Sequence, residues 1–242
     1  PFFILAGNFL THGGVARRMI AFATSMVGHW HGGLGLGGVL ACALFAAVSG
    51  SSPATVVAIG SILMPAMVKA GFPKGFGAGV ITTSGALGIL IPPSIVMVMY
   101  SVSTNTSVGA LFMAGVIPGL LLAFFLGLTT WYRAKKNNYP CQPKATWAER
   151  WVSFRKAIWG LLLIVVVMGG IYTGIFTPTE AAAMSAVYAF VVAVFVYKDM
   201  GMKDVPRVLL SSANMSAMLL YIITNAVLFS FLLTHENIPQ QM

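Results

Sequence analysis

Four stretches of the chain, 101–132, 157–176, 181–197 and 208–234, run without a single charged side chain. A hydrocarbon core about 30 Å thick is crossed by roughly 20 apolar residues wound as a helix. Inside that core every backbone N–H and C=O must find its partner within the protein, which leaves helices as the natural spanning element for stretches of this length. The chain is therefore read as an all-α integral membrane protein. Its composition agrees: 58% of residues are hydrophobic and only 8% charged, a balance that excludes an ordinary soluble domain.

Charge sets the orientation. Of the 14 basic residues, 7 fall within 133–156, so the net charge of +9 is concentrated in one hydrophilic loop rather than spread over a nucleic-acid-binding face. By the positive-inside rule this loop is cytoplasmic, as are 198–207 and the region of Lys69 and Lys74. SVSTNTS (101–107) and TPTE (177–180) then fall outside. Cys42 lies in an apolar run and Cys141 in the basic loop, a separation that argues against a disulfide. The chain starts at Pro1 and is expected to be a fragment of a longer polypeptide.

Two irregular stretches interrupt the apolar pattern. SGSSP (49–53) divides residues 34–69 into two apolar arms of about 15 residues each, short for a full crossing. Two full spans and a re-entrant hairpin both return the chain to the cytoplasmic side, and arm length favours the hairpin. The second interruption is TTSGALGILIPPS (82–94) within the run 76–100. Two adjacent prolines remove two backbone donors and push Ile91 out of helical geometry, so a helix broken near its middle is expected. Val15 to His31 starts with Arg17 and Arg18 and ends around Trp30, which suits a helix lying along the interface.

Carbonyls freed by two such breaks at similar depth can be satisfied together by a cation. Sodium suits neutral oxygen donors, and the hydroxyls of Ser49, Ser51, Ser52, Thr82, Thr83 and Ser84 lie in the two stretches. With Ser52 as N-cap and Pro53 at the first helical position, the exposed amides of the second arm attract a carboxylate. The plainer alternative is an external loop at SGSSP and a packing kink at GILIPPS. Of the carboxylates, Glu180 belongs to a capping box, Thr177-Pro-Thr-Glu, and the others lie in loops or after the last apolar run. A mid-span acid for proton coupling is missing, so sodium is the favoured coupling ion.

FLTHGGVARRM (9–19) and LLTHENIPQQM (232–242) share Leu, Thr, His and Met at an offset of 223 residues. The pair is expected to mark inverted repeats, with a second hairpin and broken helix after Met242. The expected organisation is the end of a membrane helix (1–14), an interfacial arm (15–33), a re-entrant hairpin (34–69), a broken helix (76–100) and a membrane helix (101–132). A basic loop (133–156), three membrane helices (157–234) and the start of a second arm (235–242) follow.

PFFILAGNFLTHGG, SGSSPATVVAIGSILMPAMVKAGFPKGFGAGV, GALGILIPPS and GIFTPTEAAA, in this order, resemble the large membrane subunit (DctM type) of the tripartite ATP-independent periplasmic (TRAP) transporters. The resemblance runs through essentially the whole chain. It implies an elevator-type transporter of the bacterial inner membrane, sodium-coupled, with a small membrane subunit and a periplasmic substrate-binding protein as partners. It implies a small carboxylate substrate of the sialic acid or C4-dicarboxylate type. Carried over, the family's first sodium site falls on Ser49, Ser52, Gly88, Ile91 and Pro93, mostly through backbone carbonyls. Ser51, Ser52, Pro53, Thr82 and Thr83 are the candidate substrate contacts.

Two other classes compete. An intramembrane serine protease would use Ser51 with a histidine base, but His29, His31 and His235 all lie away from the tip in sequence. A passive channel or scaffold subunit would need no saturable site.

Overall fold

A computed structural model describes residues 1–235, and the expected start of a second arm at 235–242 lies almost wholly outside them. The described residues form α-helices joined by short turns. They are α1 (Phe2–His12), α2 (Val15–Val27), α3 (Gly33–Ser49), α4 (Ser52–Lys69), α5 (Lys74–Gly85), α6 (Leu87–Leu90), α7 (Ile95–Thr104), α8 (Val108–Lys136), α9 (Trp147–Tyr172), α10 (Pro178–Val191) and α11 (Val205–His235). Val192–Val196 continues α10 as a π-helix, and Met202–Asp204 forms a 3₁₀ turn before α11. Five of the described helices are long and apolar enough to cross a bilayer, with a sixth if the bent assembly α5 to α7 is one span.

α3 is the centre of the packing. Nearly all of it is buried, from Gly33 to Ser49, against α1, α2, α4, α5, α8 and α9. Its small residues permit this closeness, as in other membrane bundles. A Cβ on Gly38 would fall 2.5 Å from Leu63 of α4, and one on Gly37 would fall 2.9 Å from the Thr24 hydroxyl of α2. Around α3, Leu10, Met19, Phe45, Ile59, Leu63 and Met67 are fully buried. By contrast the apolar windows of α8 and α11 are mostly exposed, presenting Phe124, Phe125, Leu210, Tyr221 and Phe231.

The arm α2 buries one stripe, Val15, Ala16, Met19, Ile20 and Ala23, at helical spacing against α3 and α9. It starts after Gly14 in the left-handed conformation (φ +69°). Helices α3 and α4 hold 17 and 18 residues, longer than the arms read from the sequence, and rise about 26 and 27 Å at 1.5 Å per residue.

Between α7 and α8 the chain turns inside the uncharged stretch 101–132. Asn105 is left-handed (φ +53°), and Ser107 caps α8 by accepting from the Ala110 N–H. The basic loop is shorter than its charge suggests: α8 runs to Lys136, and α9 starts at Trp147 behind a Thr146–Glu149 capping box. The corresponding box at Thr177 and Glu180 opens α10, with Glu180 accepting from the Thr177 N–H over 2.8 Å. It is the helix start that TPTE specifies.

Candidate functional site

The turn joining α3 to α4 is two residues long. α3 ends at Ser49, and Gly50 takes a left-handed conformation (φ +60°), its N–H donating to Ala46 O over 2.8 Å. Ser51 is extended (φ −135°, ψ 124°) and Ser52 is already helical. The N-cap is therefore Ser51, one residue earlier than expected, and Ser52 and Pro53 occupy the first two helical positions. No side chain caps this end. Instead the tip is tied by hydroxyls. Thr55, fully buried, donates from Oγ1 to Ser51 O over 2.8 Å and lies 2.9 Å from Ser49 Oγ, whose hydroxyl completes the chain.

The second interruption behaves as its prolines dictate. α5 and α6 form a nearly continuous run to Leu90, and Ile91 then adopts φ −78°, ψ 120°, the extended conformation favoured before proline. After the cis Pro92–Pro93 bond the chain resumes as α7, bent by 42° from the preceding run.

Tip and break meet at two points. The Ile95 N–H, which in an unbroken helix would bond to Ile91 O, donates to Gly50 O over 3.0 Å. At the second point, a Cβ on Gly88 would fall 2.8 Å from the Ser51 carbonyl carbon and the Ser52 nitrogen. The assembly is backed on both sides. α1 approaches the tip at Gly7, where a Cβ would sit 3.0 Å from Ser49 O. α8 approaches the break at Gly115 and Gly119, where a Cβ would meet Leu90 O at 2.7 Å and the Ile91 side chain at 2.9 Å.

Several polar atoms at this junction have no partner among the described residues. With the Ile95 donor diverted to Gly50, Ile91 O has no hydrogen bond, and at the break Pro92 O and Pro93 O have none either. Ser94 Oγ at the break is also unpartnered, as is Ser84 Oγ on the buried face of α5, and both residues are 1% exposed. Buried polar atoms without partners are costly, so a cluster of them at one junction fits a ligand with several oxygen-binding positions.

Ser49, Ser51, Ser52, Gly88, Ile91 and Pro93 are thus brought to one junction, and Pro53 stands exposed on the first turn of α4. Thr82 and Thr83 are placed differently. Both are exposed on α5, and the Thr83 hydroxyl bonds back to Gly79 O over 2.8 Å beside a groove against Leu126, Thr129 and Arg133 of α8. Because α5 stays helical to Gly85, the three hydroxyls at 82–84 are spread around its axis, and Ser84 is the one turned inward. Ser94 and Thr55 escaped the sequence reading. Ser94 had a signal, as the first residue able to donate after a double proline. Thr55 lay beyond the irregular stretch and resembled any helical threonine.

A family model described as the tripartite ATP-independent periplasmic transporter, DctM component, matches residues 1–242. The chain belongs to this TRAP transporter family. It is similar to a protein of Rhodobacter capsulatus named C4-dicarboxylate TRAP transporter large permease protein, 75% identical over 256 residues that take in 100% of this chain and 58% of the relative. The Pseudomonas aeruginosa protein of the same name is 56% identical over 100% of this chain and 57% of its own length. A 2,3-diketo-L-gulonate TRAP transporter large permease protein of Escherichia coli is 39% identical, again over 100% and 57%. The chain thus spans just under three-fifths of the length of these three relatives. Like them it is a multi-pass protein of the bacterial inner membrane.

Proposed function

We propose that the chain forms the first half of the transport path in a sodium-coupled importer of a small organic acid. Sodium binds at the junction of tip and break, and the carboxylate of the substrate meets the uncapped N-terminus of α4. The observation that carries this reading is the hydrogen bond from Ile95 to Gly50. It joins two discontinuous elements and releases the Ile91 carbonyl, beside the Pro92 and Pro93 carbonyls and the Ser94 hydroxyl, which also have no partner among the described residues. A hard cation satisfies such oxygens together. At the other side of the tip, the first amides of α4 lack a side-chain cap, as an anion-binding helix start requires.

The relatives named for C4-dicarboxylates and for 2,3-diketo-L-gulonate support a carboxylate-bearing substrate. In this reading α3 and α4 form a re-entrant hairpin and move with the broken helix as one body, in an elevator motion against the remaining helices. A small membrane subunit and a periplasmic binding protein complete the system. The test is uptake by the full-length complex and its binding protein in vesicles, over C4-dicarboxylates and sugar acids. Uptake is expected to require an inward sodium gradient, and to lose sodium dependence in Ser49→Ala and Ser52→Ala variants. Equal uptake with sodium replaced by potassium would overturn the reading.

A further inference from the structure

The N-terminal part of α2, the first turns of α9 and the end of the π-helical segment line an open cavity of about 530 Å³. Arg17, Arg18, Arg155 and Lys156 line it together with Trp159 and Tyr197. The cavity is remote in sequence from the tip and the break, and it is built rather than incidental. The Arg18 guanidinium lies 3.8 Å over the Tyr197 ring, pairs with Asp199 and donates to Gly14 O over 3.1 Å. The Tyr197 hydroxyl in turn donates to Lys156 O over 2.7 Å, fixing the ring against α9.

Asp199 offsets one of the four cations. Among the described residues, the side chains of Arg17, Arg155 and Lys156 have no ion pair or hydrogen bond, so three positive charges converge without a counter-charge. Immediately beyond them α9 becomes wholly uncharged. Trp159, Leu162 and Val166 follow down one exposed face at helical spacing. Cations above, an indole at the boundary and an apolar stripe below make up the profile of a membrane interface. A soluble anion would use the cations alone, whereas a lipid uses all three.

We propose that this cavity binds the phosphate headgroup of an anionic phospholipid, with an acyl chain along Trp159, Leu162 and Val166. The bound lipid bridges α2, α9 and the end of α10.

The experiment measures lipid retained by the full-length complex in mild detergent, by native mass spectrometry after addition of phosphatidylglycerol or phosphatidylcholine. The variant Arg17→Gln/Arg155→Gln/Lys156→Gln is compared with Arg133→Gln/Lys136→Gln/Lys144→Gln, which removes the same charge elsewhere. Each interfacial cation contributes about a fivefold factor, so the first variant is expected to lose phosphatidylglycerol affinity on the order of 100-fold while the second stays close to wild type. Equal retention by both variants overturns the proposal, as does displacement of the lipid by millimolar inorganic phosphate, which would mark a soluble-anion site. Should the first variant not fold, a photoactivatable phosphatidylglycerol on the wild-type complex decides. Labelling concentrated on 153–166 supports the cavity, and labelling spread evenly over the basic end of α8 refutes it.

Discussion

The N–H of Ile95 donates to the carbonyl of Gly50 over 3.0 Å, across 45 residues of chain. This one bond joins the hairpin tip to the broken helix and, by leaving Ile91 O without its usual partner, exposes the oxygens on which the proposed sodium site rests.

Gly88 keeps the two elements at touching distance. In Gly88→Ala the new Cβ would lie 2.8 Å from backbone atoms of Ser51 and Ser52, which cannot rotate away. The tip must then move off the break. Half-saturating sodium is expected to rise about tenfold or more, equivalent to about 1.4 kcal/mol, in sodium titrations of uptake by the full-length complex. An unchanged half-saturation would show that this separation is immaterial.

Gly50 and Gly71 both have positive φ, yet only Gly50 is crowded. A Cβ there would fall 2.6 Å from Pro93 O, while at Gly71 nothing lies within 4 Å. Gly71→Ala carries conformational strain alone, about 1–2 kcal/mol. Gly50→Ala adds the collision, so thermal unfolding should fall further for it, with sodium dependence lost only in that variant.

Much of the site was legible because glycine and proline announce backbone events. SGSSP and GILIPPS could be located, and Ile91 could be placed outside helical geometry, from proline sterics alone. Which hydroxyls face the junction was not legible. α5 has apolar and small residues all round, so nothing in KGFGAGVITTSG distinguishes the buried face that takes Ser84 from the exposed side that takes Thr82 and Thr83. The one-residue shift of the N-cap from Ser52 to Ser51 had the same origin, since adjacent serines are equivalent until φ is known. At the repeat level, LLTHENIPQQM lies mostly outside the described residues.

The hydroxyl chain at the tip should be severable. Thr55→Val keeps the side-chain shape but removes the hydroxyl bonds to Ser49 Oγ and Ser51 O, leaving Ser51 O its bond from the Thr55 N–H and Ser49 Oγ only its long contacts with Ser51. A stability loss of about 1–3 kcal/mol is expected by denaturant or thermal unfolding, with recovery in Thr55→Ser. Equal losses in both variants would point to packing instead.

Asn8 of α1 donates to Ser212 of α11 over 2.8 Å, and both are buried. Because α1 also touches the tip at Gly7, this bond ties the long exposed helix to the site. A double-mutant cycle with Asn8→Ala and Ser212→Ala should return a coupling of about 0.5–1.5 kcal/mol in unfolding measurements. Strict additivity would mean that the bond contributes nothing.

The central claim is tested most directly by a high-resolution map of the full-length complex, recorded once in sodium and once in choline. A density peak between the Ser49–Ser52 tip and the Ile91–Ser94 break, coordinated by backbone oxygens and present only in sodium, is the result predicted. The same junction without a peak in sodium, at a resolution that shows ordered water elsewhere, would contradict it.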